Sequence, residues 1–292
     1  MAGNRRWRAT DMRCHARANG PAGNGVAPRL ERREFACLTV ENPPIREVFL
    51  LLSYVCREWI DMKIFVGLDD TDTVDSSTGT GHLARLLMSE LLTLRIAGYG
   101  ITRHQLLFDR RIPYTAKNSA NVIHLLGDAA DIPAIAQCAQ AAMRAHFQPG
   151  SDPGLCVGTD IPEAIVAFGR RAQREIVSQE DAQCLAEEYG LALHGLGGTN
   201  GGIIGALAGV GLASSGDDGR FTHVGRTRDL QGIVSVSDIL AAGVSAVRTR
   251  DGNPIREGRI QTFDKIRPAL RAGQPVLYVE PTNGYWQVVR LD

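Results

Sequence analysis

From residue 62 onward the chain reads as an α/β fold, grading into α+β, and three observations carry that reading. Short β-branched apolar runs alternate with segments whose apolar residues recur at helical spacing. Gly, Pro, Asn and Asp clusters punctuate them. The mixture of 44% hydrophobic and 22% charged residues is that of an ordinary globular chain.

Lys63-Ile64-Phe65-Val66-Gly67-Leu68 predicts a buried first strand. Leu83, Leu86, Leu87, Leu91 and Leu94 recur at helical spacing, so a helix is expected from about His82 to Leu94. A strand follows near Tyr99 to Phe108, then an irregular loop from Asp109 to Ser119, then a strand from Asn121 to Leu126. A helix from Ile132 to His146 and a strand from Leu155 to Gly158 complete the order β-α-β-β-α-β. That order defines a ferredoxin-like unit over residues 62–160.

Residues 161–292 are expected to form a second α/β region. Helices are placed near Pro162 to Val177 and Glu180 to Tyr189, followed by a glycine-rich segment and a helix from about Ile203. Asp251-Gly252 and Asn283-Gly284 read as hairpin turns. They would join Val244–Arg248 to Arg259–Thr262, and Val276–Val279 to Tyr285–Val289.

Residues 1–61 differ from the rest, being Arg-heavy, rich early in Gly, Ala and Pro, and without a sustained period. They are expected to be a disordered or non-native leader. Their one strongly apolar run, Val48 to Val55, is far shorter than the roughly 20 residues of a membrane helix, so no membrane association is expected. Lys+Arg and Asp+Glu balance at 32 each, which excludes a large positive field of the kind that announces a dedicated nucleic-acid binder. The 6 cysteines are scattered without a CxxC pair, which fits a reducing, cytoplasmic location and no zinc site.

Candidate chemistry begins at the end of the first strand. Asp69, Asp70 and Asp72 place three carboxylates within four residues, where mutual repulsion calls for a counterion. Mg²⁺ suits them, since it takes hard oxygen ligands and commonly binds through one or two carboxylates plus nucleotide phosphates. The competing reading is that they form Asx turns or cap the next helix. That helix opens at Gly79-Thr80-Gly81-His82, whose free N–H groups and positive dipole end would favour phosphate. Gly79 and Gly81 are taken as cofactor-binding, and His82 as a candidate catalytic residue.

The segment Gly195 to Gly211 is a glycine-rich loop running into a helix of small residues, but it is neither a Walker A loop nor a strict G-x-G-x-x-G. Gly197, Gly198, Thr199, Asn200, Gly201 and Gly202 are expected to offer backbone N–H groups to phosphate, with Gly205 and Gly209 allowing tight helix packing. Arg110 to Ser119 gathers further donors. Lys117, one of three lysines in the chain, or Arg111 would meet the transferred group. Cys138, Cys156 and Cys184 read as core or incidental thiols.

Several motifs recur in one order: Gly67-Leu68-Asp69-Asp70-Thr71-Asp72, Ile112-Pro113-Tyr114 with Lys117-Asn118, Asp152-Pro153-Gly154, and Gly201 to Ala208. Gln261-Thr262-Phe263-Asp264 and Pro275-Val276-Leu277-Tyr278 follow. Together they resemble the archaeal tRNA-Ile 2-agmatinylcytidine synthetase family, whose members use ATP to activate the C2 carbonyl of a cytidine and replace its oxygen with agmatine. The resemblance implies a kinase-like catalytic domain joined to a ferredoxin-like domain, holding ATP and Mg²⁺ between the aspartates and the glycine-rich segment. It implies tRNA-modifying, ligase-like activity as well.

This chain departs from the family pattern in three respects. The family's OB-fold and zinc ribbon have no counterpart before Asp292, so a shorter, bacterial-type homologue is expected. A family threonine aligns near His82, and a basic run is replaced by Thr115 to Ala120. The sequence therefore supports an ATP/Mg²⁺-dependent phosphoryl-transfer enzyme acting on a small-molecule or RNA substrate. Its alternatives are a non-catalytic nucleotide-binding regulator, and a tRNA-modifying enzyme that borrows its RNA grip from a partner.

Overall fold

The computed structural model describes residues 63–289 apart from Ala116 and Asp264, so the expectations for residues 1–61 lie outside the described residues. The strand β1 (Lys63–Asp69) forms where the apolar run begins, and its side chains alternate between two faces. Ile64, Val66 and Leu68 enter one core and Phe65 the other, which is why the run is apolar throughout rather than at every second position.

The first six long elements are β1, α1 (Thr80–Leu92), β2 (Ala97–Gln105), β3 (Ser119–Leu126), α2 (Ile132–His146) and β4 (Gly154–Gly158). Spatially the strands run β4-β1-β3-β2, and all three pairings are antiparallel. This is the ferredoxin-like arrangement that the order of elements predicts. Leu83, Leu87 and Leu91 of α1 and Ile135, Ala139 and Met143 of α2 cover one face.

The other face is covered by the second half of the chain. There lie α3 (Glu163–Ala172), α4 (Gln179–Glu188) and α5 (Gly202–Ser214), while β5 (Ala192–Gly195) joins the sheet itself beside β4. α5 is buried almost all round, and burying each of Leu207, Val210 and Leu212 contributes about 1.5–3 kcal/mol. It can lie this close because glycine faces it: a Cβ on Gly67 would stand 2.3 Å from the Ala206 carbonyl oxygen, and one on Gly209 would stand 2.9 Å from the Ala120 Cβ. The sheet is thus continuous across residue 160, where the sequence suggests a boundary.

Beyond β2 the sheet extends through β6 (Arg220–Val224), β10 (Ala269–Arg271), β11 (Gln274–Thr282), β12 (Tyr285–Val289), β9 (Arg259–Gln261) and β7 (Ile233–Ser235). β8 (Ala246–Thr249) completes it by pairing with β11, and a short helix, α6 (Val236–Ala241), lies before β8 in the chain. β11 and β12 form the expected hairpin across Asn283-Gly284.

The other expected hairpin does not form. β8 pairs parallel with β11, and β9 pairs parallel with β12. The turn at Asp251-Gly252 is present, with the Gly252 N–H donating to the Thr249 carbonyl. A local turn signal carries no information about which distant apolar strand gives Val247 and Ile260 their burial beside Leu277 and Val279. Among the described residues no helix is long and apolar enough to cross a membrane.

Candidate active site

At the carboxyl end of β1 the backbone turns sharply, and Asp70 adopts a φ of 50°, a left-handed conformation that Asp tolerates. The three carboxylates of Asp69, Asp70 and Asp72 line one cavity of about 330 Å³. Gly79, Thr80 and Gly81, at the start of α1, form another wall, and the β2–β3 connection supplies Tyr114, Thr115 and Lys117. The sequence signals for the aspartates, Gly79, Gly81 and Lys117 therefore converge in space.

Burial pushes the Asp69 carboxyl up to about 7, helped by the neighbouring Asp70 and Asp72 charges. Asp70 is pushed up to about 6, by burial first and then by Asp152 and Asp72. Asp72 is tied differently. Its Oδ1 accepts hydrogen bonds from the Thr80 amide at 3.1 Å and the Thr80 hydroxyl at 2.7 Å, and its Oδ2 accepts one from the Thr115 hydroxyl at 3.3 Å. It therefore pins the first turn of α1 while facing the cavity.

Six cations oppose these three carboxylates: Arg85, Arg103, Lys117, Arg228, Lys265 and Arg267. Arg85 is lowered from its ordinary pKa by burial and by the nearby Arg228, a repulsion that an incoming anion would relieve. His223 is lowered by burial, then by Arg228 and Arg85. Asn121 is 3% exposed, and its side-chain oxygen has no hydrogen-bond partner in the protein. It lies 3.6 Å from the position of a Cβ on Gly81, at the cavity wall, where a donor group on a ligand would satisfy it.

His82 is not part of the cavity wall; its Nδ1 lies 3.4 Å from Arg85 Nη2. Arg111 is likewise elsewhere, held by both Asp109 oxygens at 2.8 and 2.7 Å. The glycine-rich residues Gly197 to Gly202 do not line the cavity either. Several of their amides already have partners in the protein. Thr199 donates to Asp152 Oδ1 at 2.8 Å, Gly202 donates to the Asp152 carbonyl at 2.9 Å, and Asn200 donates to the Gly197 carbonyl at 3.2 Å. The glycines admit carboxylates instead: a Cβ on Gly198 would fall 1.5 Å from Asp152 Oδ1, and one on Gly205 would fall 1.7 Å from Asp69 Oδ2.

Sequence reading missed Arg85, Arg103, Asn121, Thr222, Arg228, Lys265 and Arg267. Apart from Lys265 and Arg267, which share the connection between β9 and β10, they lie on separate elements, up to 182 positions apart in number from Arg85 to Arg267, and form no local motif. Among the described residues no three His, Cys, Asp or Glu side chains are arranged as a group that could hold a metal ion. A cation here would draw on one or two carboxylates, and its other ligands would have to come from phosphate and water.

No family model matches this chain, and no curated protein matches it. Similar solved structures include TiaS in complex with an isoleucine tRNA and ATP, at 24% identity and a TM-score of 0.45, over 51% of this chain and 36% of that one. A tRNA fluorescent labeling enzyme is 23% identical with a TM-score of 0.44, over 51% and 36%. Apo TiaS, an agmatidine synthetase of an isoleucine tRNA, is 22% identical with a TM-score of 0.39, over 51% and 35%. TiaS is of the family that the sequence motifs resemble. The matched region spans about a third of each of these structures, 36%, 36% and 35%, so the chemistry of the cavity rests on its own residues.

Proposed function

We propose that the cavity at the end of β1 binds ATP together with Mg²⁺, and that the protein uses them to activate an oxygen of an acceptor by phosphoryl transfer. The supporting observation is the convergence of six cations, three carboxylates and the amino end of α1 on one cavity. A polyphosphate would be matched by Arg85, Arg228, Lys265 and Arg267, and by the positive end of the α1 dipole. Asp69 and Asp70 would hold the cation, whose charge supplies electrostatic stabilisation of the transferring group.

The donor set fits such an ion, because two carboxyls that bind protons more tightly than usual gain most from a divalent partner. Lys117, on the long connection between β2 and β3, reaches the cavity and would meet the phosphoryl group as it moves. In that step the acceptor oxygen bonds to phosphorus as the bond to the departing part of ATP breaks. His82 acts at one remove, by positioning Arg85. Residues 197–202 support the site by holding Asp152 beside Asp70.

Calorimetric titration of ATP with and without Mg²⁺ tests the reading, followed by analysis of ADP, AMP and phosphoprotein in the presence of tRNA or small acceptors. Binding that strengthens with Mg²⁺ and is lost in Arg85→Gln is expected. No ATP binding under either condition would remove the proposal, and turnover only with tRNA would make RNA the acceptor.

A further inference from the structure

A second cavity of about 450 Å³ adjoins the first, and Arg103 and Lys117 line both. Arg271, at the end of β10, and Arg220, at the start of β6, add positive charge, whereas the side-chain amides of Gln105 and Gln173 already donate to protein oxygens. The two carboxylates of this cavity are already committed. Asp218 accepts hydrogen bonds from His104 Nδ1 and Arg170 Nη1, both at 2.8 Å, and from Gln173 Nε2 at 2.9 Å. Asp217 Oδ1 accepts one from the Ala272 amide at 2.8 Å. With Asp218 offset by Arg170, the wall presents excess positive charge.

Phe108 supplies an apolar plate on the same wall. It is 54% exposed and meets Tyr114 of the first cavity edge to face, with ring centroids 5.4 Å apart. Arginine forks beside an apolar plate suit a phosphate ester with a planar or apolar body. The same charges repel a cationic amine.

We propose that this second cavity is the acceptor subsite, and that it takes a small molecule through a phosphate monoester gripped by Arg271 and Arg103. The acceptor's reacting oxygen then faces the first cavity past Lys117. The word acceptor rests on the ATP reading, whereas the phosphate site stands on its own residues.

The test titrates phenyl phosphate calorimetrically into the full chain, with and without a non-hydrolysable ATP analogue. Phenyl phosphate is expected to bind in both conditions. Arg271→Gln is expected to weaken it at least about tenfold, the scale of one charge-assisted hydrogen bond, while Arg144→Gln, on α2 and lining neither cavity, leaves it unchanged. Phe108→Ala, at an exposed position that tolerates truncation, is expected to weaken phenyl phosphate and not methyl phosphate. Putrescine, a diamine, is expected neither to bind nor to compete.

Unchanged phenyl phosphate binding in both Arg271→Gln and Phe108→Ala overturns the proposal, as does competition by putrescine. A single-stranded RNA pentamer that binds more tightly than phenyl phosphate and depends on Arg271 overturns the small-molecule assignment. Arg271-dependent phosphate binding without binding of the ATP analogue leaves this site standing and removes the ATP reading. Binding of the analogue alone does the reverse.

Discussion

Asp69 shows most directly how one residue carries opposed demands. Its carboxyl is held at about 7, well above the ordinary value of 3.8, by burial and by Asp70 and Asp72. A carboxyl with a raised folded pKa contributes stability that is complete below the unfolded value and is lost as pH rises through the folded one. The ligand-free protein should therefore melt at progressively lower temperature between about pH 4 and pH 7. Asp69→Asn should flatten that decline, and its melting temperature should exceed that of the parent at pH 8 and converge with it near pH 4. Thermal melts across the range check this, and parallel curves for the two proteins would contradict it. Gly205→Ala probes the same carboxylate from the opposite side. Its Cβ would fall 1.7 Å from Asp69 Oδ2, so a loss of about 1–3 kcal/mol is expected in denaturant melts.

The first turn of α1 and the glycine-rich loop are each fixed by one aspartate. Asp72 satisfies the Thr80 amide and hydroxyl, so the helix starts at Thr80, two residues before the position suggested by its leucines. Asp72→Ala is expected to cost about 0.5–2 kcal/mol, the range of a lost helix cap, whatever happens to nucleotide binding. Denaturant melts give that figure, and an unchanged midpoint would show that the turn is held by other contacts. Asp152 binds the Thr199 amide and also its hydroxyl. Asp152→Ala should speed hydrogen exchange at Thr199, whose side-chain acceptor it removes, while leaving Gly202, bonded to the backbone carbonyl of residue 152, and the rest of the buried α5 protected.

At the scale of the molecule, the ferredoxin-like unit is covered on both faces, and its second cover comes from residues after 160. Excision of residues 62–160 would bare Phe65, Ala120, Val122 and Cys156, now packed against α3 and α5. That fragment should aggregate or bind a hydrophobic dye such as ANS, whereas residues 62–292 should not. A soluble, cooperatively melting 62–160 fragment would contradict this packing account.

Short-range chemistry encodes the strand and helix runs at their periods, the βαββαβ order, the close packing of Gly205 and Gly209, and the carboxylates that end β1, and all of these are legible in the chain alone. Clustering within four residues made the aspartates readable, because like charges so near in sequence stay near in any fold. The cations around them were settled by tertiary structure, since Arg85 on a helix, Arg103 on a strand, and Arg228, Lys265 and Arg267 on distant connections meet only once the chain is folded. The partners of β8 and β9 were settled in the same way. So was the use of the glycines. Composition shows where a Cβ is absent, whereas the identity of the group that fills the space, here the carboxylates of Asp69 and Asp152, depends on which strand end is brought against the loop.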